Sequence, residues 1–249
     1  MIELKHITKV FNRGQINEVT ALTDLHLQIS EGEFIALIGA NGSGKTTFLN
    51  IISGAVQPSS GNILIHGEDI TRLPEHQRSR WVARVFQNPL AGTAPDLSIL
   101  DNFRLAALRT RPKRLIIGIN ERFKAEVRDK IAGLGLGLEN KLQQPIGSLS
   151  GGQRQALTLL MSVMDHTDIL LLDEPTAALD PKSAEVVMQT AERLIREYQL
   201  TTVLITHNLR DAHRFGNRLI QMAAGQVVRD LDMRAKEALK LEEMYAWFG

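Results

Sequence analysis

The stretch from residue 34 to residue 52 constrains the architecture more than any other. Phe34-Ile35-Ala36-Leu37-Ile38 is an unbroken apolar run, Gly39-Ala40-Asn41-Gly42-Ser43-Gly44-Lys45-Thr46 follows at once, and Thr47-Phe48-Leu49-Asn50-Ile51-Ile52 continues as a helical pattern. An apolar run without alternation predicts a strand buried on both faces, which occurs where helices cover a parallel sheet. The glycines permit turns and close backbone approach that a Cβ would obstruct. A strand, a glycine-rich loop and a helix in that order aim successive N–H groups and a helix N-terminus at one anion, and G-x-x-x-x-G-K-T is the pattern of a phosphate-binding P-loop. In that reading Lys45 brings positive charge to the β and γ phosphates, and the Thr46 hydroxyl sits on Mg²⁺.

The rest of the chain supports the same class. Short β segments are predicted at Ile2 to Ile7, Ala21 to Ile29 and Asn62 to Ile65, and a helical pattern from Ser98 to about Gly133, with Ser98 and Asp101 as a capping pair. After residue 150, helix and strand alternate: helix Gly151 to about Met164, strand Ile169 to Leu172, helix Ser183 to about Tyr198, strand Thr202 to Ile205. That alternation again predicts a parallel sheet under helices. A phosphate loop needs a metal anchor and a group to position the nucleophile, and Asp173 and Glu174, at the end of an apolar strand, supply both residue types.

Composition narrows the partners. Lys and Arg number 29 against 28 Asp and Glu, so no net field draws the chain to nucleic acid, and none is expected as a partner. Without cysteine there is neither a disulfide nor a Cys-ligated zinc site, which fits a reducing compartment. The N-terminus lacks a signal-peptide layout, and no apolar run approaches the roughly 18 residues that would cross a bilayer. No repeat or long linker divides the 249 residues, so one domain is expected.

Leu149-Ser150-Gly151-Gly152-Gln153 makes the reading specific. Ser150 is a good N-cap with Gln153 three residues on, and the two glycines leave a helix start accessible to an anion. With the P-loop and Asp173-Glu174, this pentapeptide resembles the signature of the ATP-binding-cassette (ABC) transporter ATPases. The resemblance covers nearly the whole chain. It implies an α/β P-loop NTPase core with a parallel sheet, an N-terminal antiparallel β subdomain, and an inserted α-helical signature subdomain at about 90–160 within one ATP-binding domain of residues 1–249.

The resemblance also implies roles. Glu174 polarises the attacking water, Asp173 and Thr46 hold Mg²⁺, and Gln87, in Val85-Phe86-Gln87-Asn88-Pro89, belongs to the glutamine loop that touches metal or water and faces the membrane partner. His207 matches the switch histidine at the γ phosphate, and Asp180 the loop that crosses between two cassettes. The nucleotide contacts implied are Gly39, Ala40, Asn41, Gly42, Ser43, Gly44, Lys45, Thr46 and Thr47, with Ser150, Gly151, Gly152 and Gln153 from the signature. Phe11 falls where the family places an aromatic that stacks on adenine; a core position is the alternative. The other six histidines, at 6, 26, 66, 76, 166 and 213, read as non-catalytic.

In the family that the chain resembles, the P-loop of one copy and the signature of another hold one ATP, so the resemblance, with one P-loop and one signature in this chain, implies a head-to-tail homodimer with ATP held between the copies. The family context implies a motor bound peripherally to the cytoplasmic face of the inner or plasma membrane. It would work with a separate permease and, indirectly, a solute-binding protein. Phe86 to Pro95 resembles the ATPase subunits of branched-chain-amino-acid-like permeases, which implies import of an organic solute such as an amino acid. A soluble cassette ATPase of iron–sulfur cluster assembly is the alternative. Arg104, Arg109, Arg111, Lys113 and Arg114 form a local basic cluster, expected to be a solvated surface, and the amphipathic stretch from Met233 to Phe248 is expected to dock on the chain's own core.

Overall fold

The computed structural model describes residues 2–110 and 118–248. Arg111, Lys113 and Arg114 of the basic cluster lie outside the described residues. In chain order the elements are β1 (Ile2–Phe11), β2 (Val19–Ile29), β3 (Phe34–Ile38), α1 (Lys45–Ser53), β4 (Ser60–Ile65), β5 (Glu68–Asp69), α2 (Glu75–Arg78), β6 (Val82–Val85), α3 (Ile99–Ala106), α4 (Glu121–Ala132), α5 (Gly151–Ser162), β7 (Ile169–Asp173), α6 (Pro181–Tyr198), β8 (Thr201–Ile205), α7 (Leu209–Arg214), β9 (Arg218–Ala223), β10 (Gln226–Leu231), α8 (Met233–Ala238) and α9 (Leu241–Ala246). They fall into two compact units, Met1–Arg78 with Leu171–Glu174 and Leu200–Gly249, and Ser79–Leu170 with Pro175–Gln199. The result is the mixed α/β P-loop architecture expected.

In the first unit an antiparallel sheet has the order β2-β1-β4-β5. Ile2, Leu4 and Ile7 of β1 face inward opposite Ile29, Leu27 and Leu25 of β2, with alternation interrupted by a register shift between Leu4 and Ile7. The parallel part is centred on β3, which pairs with β8 (Ile35 with Val203, Leu37 with Ile205) and with β9 (Ile35 with Arg218, Leu37 with Ile220). Every residue of β3 and β8 is buried, the two-sided burial that the apolar run required. Strand β10 returns antiparallel on β9, through a turn in which Ala224 and Gly225 both take positive φ.

Arg78 is fully buried, yet each of its donors finds a backbone carbonyl: Nη1 donates to Ile51 and Ile52, Nε to Leu73 and Nη2 to Thr71. Burial pulls its pKa down to about 10. It thereby satisfies carbonyls at the C-terminal end of α1, where a helix leaves acceptors unpaired. The C-terminal stretch forms two short helices, and Met244 of α9 is fully buried with Ala36, Ile38, Leu209, Ala212 and Leu219. Docking on the chain's own core is what amphipathicity predicted.

The second unit is mainly helical and contains the stretch expected over 90–160. Trp81 O accepts from the N–H groups of Asp168 and Ile169 within this unit. Helix α5 packs against α6, α3 and α4. Among the described residues, the helical pattern expected from Ser98 to about Gly133 contains two helices, α3 and α4. Ser98 Oγ caps α3 by accepting from Asp101 N at 3.1 Å, and Asn120 Oδ1 opens α4 by accepting from Phe123 N at 2.9 Å.

Arg109 is a correction to the solvated basic cluster. Its guanidinium donates to Ser162 O, His166 O and Thr167 Oγ1, and burial lowers its pKa. It closes the C-terminal end of α5 instead of facing solvent.

Candidate functional site

The loop from Gly39 to Gly44 leaves the carboxyl end of β3 and enters α1 at Gly44, which sits in the left-handed region at φ 100° and offers no side-chain cap to the helix. A Cβ there would press on the Ala21 carbonyl and the Leu22 side chain, so only glycine fits both the dihedral and the space. The first turn of α1 therefore presents its N–H groups without a competing side chain, as an anion site requires. The Ser43 hydroxyl is buried and has no hydrogen-bond partner among the described residues. Lys45 is 5% exposed, and its ammonium donates to Gly39 O at 2.8 Å and Ala40 O at 3.0 Å. Burial lowers its pKa, against the opposing pull of Glu174 and Asp173.

Those two carboxylates end β7 in the same unit. Asp173 is buried; Glu174 takes φ 48°, and its N–H donates to Ile205 O at 3.0 Å. A positive φ in a non-glycine residue is held only where the surroundings over-determine it. Here it turns the side chain toward His207, whose Nε2 lies 2.8 Å from Glu174 Oε1. His207 follows β8, and Asn208 caps α7 just beyond it. Lys45, Asp173, Glu174 and His207 thus converge at the carboxyl edge of adjacent strands, where open α/β sheets place their ligands. Thr46 is exposed and Thr47 half-buried in the first turn of α1. Phe11 ends β1, half-buried, with the Lys9 ammonium 4.8 Å from its ring centroid.

The second unit carries the remaining sequence candidates. Ser150 and Gln153 form the expected reciprocal cap: Gln153 N donates to Ser150 Oγ at 3.3 Å, and Ser150 N to Gln153 Oε1 at 3.2 Å. Gly152 has a second reason to be glycine, because a Cβ there would strike Ser183 of α6. Gly151 meets Leu179 with less crowding. Asp180 caps α6, its carboxylate accepting from Lys182 N and Ser183 N. Hydrogen bonds from Ser183 hold its pKa below the usual carboxylate range. Gln87 is exposed in the loop after β6.

Two features escape a reading of motifs. Gln155, fully buried on α5, donates to Phe86 O at 3.0 Å and so anchors the backbone next to Gln87. Its position two residues after the signature is the one available signal. Tyr245 and Phe248 line a cavity of about 340 Å³ together with Gly39, Ala40, Thr206 and His207, so the C-terminal segment borders the phosphate loop. No local pattern announces that neighbour.

Comparison with known proteins agrees with the geometry. Residues 22–177 match the family described as ABC transporter. A tyrosine transport ATP-binding protein of Clostridioides difficile (strain R20291) is 40% identical over 249 residues, covering 100% of this chain and 98% of its own. A phosphonates import ATP-binding protein, PhnC of Rhizobium meliloti (strain 1021), is 32% identical over 237 residues, covering 92% of this chain and 81% of its own. The dimeric post-hydrolysis state of the ATP-binding cassette MJ0796, bound to ADP and Pi, superposes with a TM-score of 0.80 at 30% identity, covering 94% of this chain and 99% of that one. With a family match across more than half its length and a full-length relative at that identity, the chain belongs to the ABC transporter family, as an ATPase subunit.

Proposed function

We propose that this chain hydrolyses ATP at the loop of residues 39–47 to drive import of an amino acid through a separate membrane permease. The observation that carries the chemistry is the 2.8 Å contact between Glu174 and His207 in the unit that also holds Lys45. The P-loop N–H groups and Lys45 hold the phosphates. Glu174 accepts a hydrogen bond from the attacking water as its oxygen bonds to the γ phosphorus. The bond to the β–γ bridging oxygen breaks, leaving ADP and phosphate. His207 fixes the Glu174 carboxylate and reaches the γ phosphate. Thr46 and Asp173 present a hydroxyl and a carboxylate, a hard-oxygen donor set that fits Mg²⁺, which neutralises phosphate charge when bound. Gln87 keeps the role that the glutamine-loop resemblance gives it, and Phe11 the adenine-stacking role.

Residues 1–249 act in this proposal as one ATP-binding domain. Two copies pair head to tail, the P-loop of each opposed by Ser150-Gly151-Gly152-Gln153 and Asp180 of the other. ATP then forms part of the interface, so its binding favours closure and its hydrolysis releases it. The dimeric cassette MJ0796 supports this arrangement. None of the described helices is long and apolar enough to cross a membrane, which fits a subunit attached peripherally, at the cytoplasmic face in our reading. The transporter names of the relatives favour transport over iron–sulfur cluster assembly. The tyrosine name of the 40% identical relative makes an amino acid the first solute to test.

The test is affinity purification of tagged Glu174→Gln protein with Mg-ATP from detergent-solubilised cells. A polytopic membrane protein in stoichiometric yield is expected. A soluble scaffold without one would overturn the transport reading. Sedimentation of the same variant at millimolar ATP should show a dimer.

A further inference from the structure

In the first unit β1 pairs with β2 through three register shifts, and the first two oppose one another. From the pair Leu4 and Leu27 to the pair Ile7 and Leu25, β1 advances three residues against two on β2. From Ile7 and Leu25 to Lys9 and Leu22, β2 advances three against two on β1. Over these two shifts each strand gains one extra residue, and the inward set Leu4, Ile7, Leu22, Leu25 and Leu27 stays buried; a third shift follows from Lys9 and Leu22 to Val10 and Thr20. Without the first bulge, strict alternation would turn residue 6 inward. With it, His6 faces outward at φ 53°, and with the second bulge Asp24 faces outward at φ 43°. His26, two residues beyond Asp24, shares its face. Bulges are a means of re-aiming side chains, and here they aim three at one point.

The donor atoms converge. His6 Nδ1 is 2.8 Å from Asp24 Oδ1, His26 Nε2 is 2.7 Å from His6 Nδ1, and His26 Nε2 is 3.7 Å from the same Asp24 oxygen. The imidazole rings meet edge to face with centroids 3.8 Å apart. The Asp24 backbone is held by donation from its N–H to Thr8 Oγ1 at 3.1 Å. Two imidazole nitrogens and a carboxylate oxygen are the donor set of zinc-like cations. With metal–nitrogen bonds of about 2.0–2.1 Å, tetrahedral ligation separates donors by roughly 3.3 Å. The observed separations bracket that value, and all three side chains are at least half exposed, so a small rotation accommodates the ion. Among the described residues this is the one group of three such donors so placed.

We infer that His6, Asp24 and His26 form a binding site for one divalent cation of the zinc class, with water completing the coordination, separate from the Mg²⁺-ATP site. The two histidine nitrogens bind in their deprotonated form, and any hydrogen on them passes to solvent or to the other ring nitrogen. Binding clamps β1 to β2 and stabilises the folded chain by mass action.

The test uses untagged, chelator-treated protein titrated with ZnCl₂ by calorimetry near neutral pH. One equivalent should bind and raise Tm, and MgCl₂ should produce no such rise without nucleotide. Loss of an outer-shell partner alone weakens metal sites by about 10–100-fold, so His6→Ala or His26→Ala, each removing a ligand, should weaken zinc binding at least about tenfold. ATP turnover serves as the folding control, since these residues lie outside the phosphate site. Ring-nitrogen NMR of the wild-type chain gives a reading that needs no variant: the His6 and His26 resonances should move together with the first equivalent. Unchanged zinc affinity in His6→Ala and in His26→Ala, or movement only of other histidines, would overturn the site.

Discussion

The first turns of α1 and α5 both begin among glycines, yet they treat their N–H groups in opposite ways. Helix α1 starts at a left-handed Gly44 with no side-chain cap, and its Lys45 is buried within the same turn. Helix α5 starts at Ser150, which caps it in a reciprocal pair with Gln153, and its N-cap is exposed. The first leaves its N–H groups without a side-chain cap inside one unit, which suits the anion cradle proposed for it. The second satisfies itself and can turn to an outside ligand only by giving up a cap worth about 1 kcal/mol. The difference teaches a division of labour: nucleotide affinity should reside with α1, while α5 responds to a nucleotide brought to it.

The largest expected effect falls on the chemistry beside α1. Glu174→Gln keeps the size and a hydrogen-bonding group but loses the carboxylate, so ATP turnover measured by phosphate release should fall at least about 100-fold while ATP binding persists. Ser150→Ala, by contrast, should leave nucleotide binding to the isolated chain intact. Equal losses of ATP affinity in Ser150→Ala and Lys45→Ala would break the comparison.

Glycine replacement sharpens it. Gly44→Ala meets both a strained dihedral and the Ala21 carbonyl, a cost of roughly 1–3 kcal/mol that thermal melting should read as a Tm drop of several degrees. Gly152→Ala should lose a similar amount by overpacking against Ser183, again roughly 1–3 kcal/mol, without weakening ATP binding to the single chain. An unchanged melting temperature in Gly152→Ala would mean that α5 and α6 separate readily.

A pH scan isolates a further property of the first unit. Lys236 donates to the carbonyls of Phe215 and Gly216, and burial lowers its pKa to about 8 from 10.5. The unfolded chain therefore holds this proton up to higher pH than the folded one. The contribution to stability rises between about pH 8 and 10.5, by up to roughly 3 kcal/mol, and the penalty is fully present below pH 8. Denaturant titrations of Lys236→Met should show a flatter dependence across that window. The smallest effect belongs to the cap: Ser150→Ala should lower stability by about 1 kcal/mol at every pH, shifting the curve without altering its slope.

The cradle was legible in the sequence because it is local. A strand, three glycines, a lysine and a helix lie within twenty residues, and β3 keeps the expected bounds. The signature cap was legible for the same reason, since Ser150 and Gln153 stand one helical turn apart. Strand β6 was less visible because Val82–Val85 is short, and the β9–β10 hairpin because Arg218 and Gln221 interrupt its apolar pattern. Arg109 read as surface charge, since sequence cannot show that a guanidinium folds back onto three acceptors.

Residue types and their spacing determined by themselves that this chain carries a phosphate loop, an acidic pair after a buried strand and a capped signature helix. Backbone dihedrals, helix starts and burial patterns are set over a few neighbouring residues, so a pattern can specify them. Tertiary structure alone decided that His207 meets Glu174, that Gln155 anchors the chain beside Gln87, and that two bulges bring His6 and His26 together with Asp24. Those contacts span 18 to 69 residues along the chain. They exist because strand pairing and close packing fix distant side chains at ångström separations, information that no short window of sequence contains.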